Sequence, residues 1–264
     1  MTAMATDGSA ERWGPRWGTR AETWAATEEQ QLPTYEEAIR RLEIGPGSRV
    51  LEVGCGSGVF LRAAADRGAH VVGLDASEAL LAISRRRVPE AELTVGDLQF
   101  LPYAVDTFDV VAGFNSFFFA ADMVAALREA GRVAKPGGAV LIQVWGRHEA
   151  CDLDVIKSIV RPFFPGYDPT APEPPSLAEA GVLEGIATAA GLTPVTAYDV
   201  AWGFHYRDDE ELAASMLSAA GVGDAAGERE PEVRAALLGA LAPFRTPDGG
   251  YRLENEWHTV VATA

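Results

Sequence analysis

Apolar residues along this chain fall into two alternating patterns. Short continuous runs, Val50-Leu51-Glu52-Val53, Val71-Val72-Gly73-Leu74 and Ala139 to Val144, predict buried strands. Between them lie segments of helical periodicity, Val59 to Arg67 and one that starts at Ser77 and stops before Pro89. Strand and helix alternate in this way to about Val144, the signature of a parallel sheet covered on both faces. Further on, Leu192 to Ala201 predicts a sixth strand, Asp208 to Ala220 and Glu230 to Leu241 two helices, and Trp257 to Thr263 a seventh strand. Thr34 with Glu37, and Ser176 with Glu179, have the spacing of capping boxes that open helices, the second running to Gly191. Pro162 to Pro175 is proline-rich and predicts a loop, and the first thirty residues predict a flexible arm carrying Trp13, Trp17 and Trp24.

The connection after the first strand carries the chemistry. Gly54-Cys55-Gly56-Ser57-Gly58 leads from strand to helix, and the next strand ends on Asp75, followed by Ala76. Glycines there let backbone N–H groups approach a ligand closely, and a carboxylate ending the second strand can accept both hydroxyls of a ribose. This arrangement predicts a nucleoside-bearing cofactor. The dinucleotide pattern needs its third glycine at position 59, which is Val59; the spacing is instead GxGxG. Glu52, at the end of the first strand, would repel a pyrophosphate and favour an α-ammonium group.

With these residues the chain resembles the class I S-adenosylmethionine-dependent methyltransferases, in particular the branch acting on small molecules. Leu93 to Leu98 resembles the third strand with its adenine-contacting acid, Asp97, and apolar neighbour, Leu98. Phe108 to Asn115 resembles the fourth strand, with Asn115 against the methionine part, and Arg128 to Gly138 the helix and turn into the fifth. The resemblance implies a Rossmann-like, doubly wound, mostly parallel seven-stranded α/β sheet with an antiparallel last strand. It also implies one methyltransferase domain over 1–264: an N-terminal helical cap to 45, a cofactor-binding core over 46–150, and substrate-side elements over 151–264. A helical insertion at about 207–250, read as buttress or lid, then interrupts the final strand pair. S-adenosyl-L-methionine is the implied cofactor, with Asp75 on the ribose, Asp97 on the adenine amino group, and Gly54, Cys55 and Gly56 at the methionine end. Trp24 is positioned to fold over the sulfonium or the adenine, where an indole face favours a cation, and Tyr35 to close the same side.

Direct methyl displacement needs one well-shaped pocket and at most one titrating residue. His148, past the fifth strand at its ligand-bearing end and beside Glu149, is the candidate base. His205 is a weaker candidate, and His258 and His70 are assigned no catalytic role. Phe117-Phe118-Phe119 cannot all face the core, so at least one is expected to line the cleft and meet an apolar or aromatic acceptor.

Composition narrows the partners. A net charge of -16 argues against nucleic acid, and the one dense basic run, Arg85-Arg86-Arg87, reads as a solvated helix end. Two cysteines, Cys55 and Cys151, make neither a disulfide framework nor a metal pattern. Met1 to Ala10 has no signal-peptide core, and the apolar stretches are interrupted too often for a membrane span, so a cytoplasmic protein free of membrane is expected. A small-molecule acceptor is the expected partner, and a homo-oligomer is compatible with the sequence. Alternatives are N- or C-methylation, a non-methylating use of the cofactor, a cofactor-binding protein without turnover, and a nicotinamide-dependent oxidoreductase.

Overall fold

The computed structural model describes residues 8–171 and 176–264; the expectations for residues 1–7 and for the loop end at 172–175 lie outside the described residues. Strands β1 (Arg49–Val53), β2 (His70–Asp75), β3 (Glu92–Val95), β4 (Phe108–Phe114) and β5 (Ala134–Trp145) pair in parallel. The last two, β6 (Thr193–Tyr206) and β7 (Tyr251–Thr263), pair antiparallel, and β7 also lies antiparallel against β5. The sheet order is β3-β2-β1-β4-β5-β7-β6. Strand order reverses between β1 and β4, and an open α/β sheet takes its ligand at that crevice, outside the strands' carboxyl ends.

Helices α1 (Ser9–Gly18), α2 (Ala21–Glu28) and α3 (Leu32–Arg41) precede the sheet. Helices α4 (Val59–Asp66), α5 (Glu78–Arg87) and α6 (Met123–Val133) connect its strands. After β5 come α7 (Lys157–Val160) and α8 (Val182–Ala189), and between β6 and β7 come α9 (Asp209–Ser218), α10 (Val222–Ala226) and α11 (Glu230–Leu241). One sheet face packs on α3 and α4 through Ile39, Phe60 and Leu61, the other on α6 and α8 through Leu127 and Leu183. A third core joins the insertion to the long β6–β7 ribbon around Trp257, fully buried and stacked on Trp145 at 5.1 Å. Burying an aromatic of that size contributes roughly 3 kcal/mol. Among the described residues no helix is long and apolar enough to cross a membrane.

Several expectations are corrected. Ser9 to Glu28 is helical rather than a flexible arm. Its glycines look like helix breakers, but a Cβ at Gly14 would lie 2.3 Å from the Ala76 carbonyl oxygen, so glycine there lets α1 press onto the loop after β2. Thr34 is no cap: α3 begins at Leu32, and the Thr34 hydroxyl donates to the Gln31 carbonyl at 2.9 Å inside the helix. Ser176 likewise does not open α8, which starts at Val182 after Gly181 in the left-handed conformation. Within the basic run, Arg85 and Arg86 pair with Glu78 and Glu22 at the surface. Arg87 instead turns inward, donating to the Ser57 carbonyl at 3.0 Å and to Glu29 at 2.6 Å. Strand β6 runs on to Tyr206 and β7 begins at Tyr251, both longer than their apolar runs suggest, because the two ribbons continue beyond the sheet to carry the insertion.

Candidate functional site

Three carboxylates meet around the glycine loop. Glu52 ends the apolar run of β1 and is 2% exposed, and its Oε2 has no hydrogen-bond partner. Burial holds its carboxyl well above the usual range, with Glu28 and Asp75 adding to the rise. Asp75, at the end of β2, accepts the Gly56 N–H at 2.9 Å and the Ser77 N–H at 2.8 Å. Burial raises it too, those two N–H groups opposing the rise. Glu28, from the end of α2, accepts the Ser57 N–H at 2.9 Å, and burial pushes it up to about 7. Gly54 and Gly56 have positive φ, and a Cβ at Gly56 would come within 2.8 Å of the Glu28 carboxylate. The loop therefore needs glycine both to turn and to admit that side chain.

The remaining residues complete one cavity of about 520 Å³. Trp24, Ala76, Asp97, Leu98 and Asn115 line it with Glu52, Gly54, Gly56 and Asp75. Asn115 donates from Nδ2 to Gln31 Oε1 at 3.2 Å, while its buried Oδ1 is unpartnered. Asp97 is already engaged: Oδ2 accepts from Ser9 Oγ at 2.9 Å and the Ala10 N–H at 2.7 Å, and Oδ1 from the Gln99 N–H at 2.8 Å. A carboxylate has about four acceptor positions, so one is left. Cys55 departs from the expectation for its side chain. Its thiol lies in the core against the sheet beside Phe60 and Leu61, outside the cavity lining, and burial raises its pKa.

The same cavity continues past β4 and β5 into an aromatic chamber. Phe117 is buried in the core under the sheet end, whereas Phe118 and Phe119 line the cavity. Phe119 sits edge-on to Trp13 at 4.7 Å and Trp17 at 5.6 Å, and Trp13 edge-on to Phe164 at 6.0 Å. Trp145, Phe204 and Met216 close the far wall. His148 lies on this wall in a short helical turn after β5, with Nδ1 2.6 Å from Asp154 Oδ1. Lys157 Nζ is 2.8 Å from the same nitrogen and pairs with Asp154. Burial alone would raise Asp154, but hydrogen bonds from Lys157 and His148 hold its carboxyl below the usual range. Glu149, the neighbour in sequence, points instead toward Arg147. His205 lies on β6, away from the cavity lining, His258 pairs with Asp199 at 2.7 Å, and His70 faces Glu92 at 3.2 Å.

Glu28, Gln31, Asp154 and Lys157 were not among the residues singled out by sequence. A signal for the first two exists: Trp24, Glu28, Gln31 and Tyr35 recur at helical spacing and all line the cavity.

Comparison with known proteins decides the family. The profile described as a methyltransferase domain matches residues 51–142. An uncharacterized protein of Mycobacterium tuberculosis is 33% identical over 213 residues, covering 75% of this chain and 76% of that one. The ubiquinone biosynthesis O-methyltransferase of Hahella chejuensis is 33% identical over 139 residues, 48% of this chain and 58% of that one. This chain belongs to the class I S-adenosylmethionine-dependent methyltransferases. A crystal structure of a putative methyltransferase from Bacillus halodurans shares the fold, with a TM-score of 0.56 at 16% identity over 86% of this chain and 97% of that one. The chain is thus a methyltransferase-family enzyme on a Rossmann-like seven-stranded sheet.

Proposed function

We propose that this methyltransferase moves a methyl group from S-adenosylmethionine to an oxygen of an apolar or aromatic small molecule. The observation that carries the reading is the continuity of the cavity, in which carboxylates at one end open directly into an aromatic chamber at the other. When bound, the cofactor supplies an electrophilic methyl on a sulfonium. Asp75, whose carboxylate keeps acceptor positions beyond those taken by the Gly56 and Ser77 N–H groups, suits the ribose hydroxyls. The last free position of Asp97 suits an adenine amino group, with Leu98 beside it. Glu52 Oε2 and Asn115 Oδ1, both buried and unpartnered, suit an α-ammonium, which would satisfy them. Trp24 offers an indole face on the same side.

At the acceptor end the aromatic walls exclude water and hold a flat or apolar molecule. Proximity of this kind is worth roughly 7–11 kcal/mol when reacting atoms are held in line. In the tautomer whose Nδ1–H faces Asp154, with Lys157 donating to the same carboxylate, the His148 Nε2 lone pair would take the proton of an acceptor hydroxyl. The name of the Hahella chejuensis relative agrees with an oxygen target. The test is incubation with methyl-labelled S-adenosylmethionine and metabolite extracts, followed by mass spectrometry. Label on a hydroxyl-bearing apolar compound is the expected result. Label on no small molecule, together with quenching or enhancement of reduced nicotinamide fluorescence on titration, would overturn the reading.

A further inference from the structure

We propose that Glu28 joins Glu52 and Asp75 as a further carboxylate of the cofactor site and gives up a proton when a cationic sulfonium nucleoside enters. The inference rests on the cofactor reading above and adds a residue of the N-terminal cap to it. Glu28 is 4% exposed, lines the cavity, and lies over Gly56 with its carboxylate on the Ser57 N–H. Glu52, whose own carboxyl burial and the Glu28 charge push up, carries a buried Oε2 with no partner at all. An orphaned acceptor in a cavity wall calls for a donor from a ligand, and two further carboxylates nearby call for a positive one.

The charges facing Glu28 come from every neighbouring element. Asp75 on β2 and Glu52 on β1 are acids, and Tyr35 on α3 is buried beside them. Among the described residues the cation facing Glu28 is Arg87 on α5, and that guanidinium is committed to Ser57 and to Glu29. Burial and Asp75 thus keep Glu28 protonated to about pH 7 despite the Ser57 N–H, and a sulfonium and an ammonium placed among these acids would reverse the balance. The proton leaves to solvent as the cofactor binds, so affinity should rise with pH below neutrality.

The experiment is titration calorimetry of the full chain with S-adenosylmethionine at pH 6.5, in buffers of different ionisation enthalpy. The cofactor's own α-amino group titrates near 8, well above this pH. The wild type should release about three-quarters of a proton more than Glu28→Gln, which keeps the shape and an acceptor for Ser57. Equal proton release by the two overturns the proposal. Circular dichroism checks that the variant folds. If it does not, the wild type alone decides: its affinity should rise several-fold, toward tenfold, between pH 5.5 and 6.5, and a flat profile overturns the proposal. Absence of any binding heat in the wild type overturns the cofactor reading itself, an outcome distinct from binding without proton release.

Discussion

The two ends of the cavity are built on opposite plans. At the glycine-loop end, Glu52, Asp75 and Asn115 stand at or just past the ends of three parallel strands, their spacing set by the ladder that pairs Glu52 with both Gly73 and Ala112. The groups there are carboxyl or amide, and two of their atoms are orphaned. At the aromatic end, Trp13, Phe119, Phe164, Phe204 and Met216 come from five different segments of the chain, and their contacts are apolar. One end is rigid and specifies charge; the other is assembled by packing and specifies shape. Substitution of a carboxyl, amide or imidazole group should therefore abolish a function, whereas substitution in the aromatic wall should retune one.

The largest effect expected is on turnover. His148→Ala should lower kcat by roughly 10²–10³ while leaving cofactor affinity intact, the signature of a base at the acceptor end. An unchanged kcat would show that the acceptor needs no deprotonation. Next, Asp75→Ala should weaken cofactor binding on the order of a hundredfold, since it removes a carboxyl acceptor with positions open to the ligand. Calorimetry giving the wild-type affinity would erase the contrast between the two ends. A stability measurement comes third. Glu28 has its folded-state pKa raised to about 7, so the folded protein holds that proton more tightly than the unfolded chain. Its ionisation costs stability progressively as pH rises from the ordinary carboxylate range through 7. Glu28→Gln should then raise the melting temperature of the cofactor-free protein by several degrees at pH 8, and the gap should close by pH 5. Smallest is Phe164→Ala, expected to raise the acceptor KM about tenfold with cofactor affinity unmoved. A change in cofactor affinity there would mean that the two ends are not separable.

Legibility in the sequence follows the same division. The strands, the glycine loop and the acids after it were readable because each depends on residues close in the chain: a buried parallel strand is a short apolar run, and a turn at positive φ demands glycine. The helical cap is expected from the resemblance, but the order of its first thirty residues is not legible in their composition, since Gly14 answers to a backbone oxygen belonging to Ala76. Glu28 was invisible for another reason. Among 38 acidic residues, one more glutamate on a helix reads as solvated, and only docking of the cap on Ser57 buries it. His148 was found, but its partner was not: the helical turns after β5 fold the chain back so that Asp154, rather than the adjacent Glu149, meets the ring.

The engagement of Asp97 by Ser9 and Ala10 has a consequence for the order in which the molecule assembles. The first turn of α1 is completed by a side chain 87 residues further along, beyond three strands of the sheet. Closing a loop of that length is entropically unfavourable until the intervening chain is already compact. Helix α1 therefore settles after the three strands that precede Asp97, docking onto a sheet core that has formed without it.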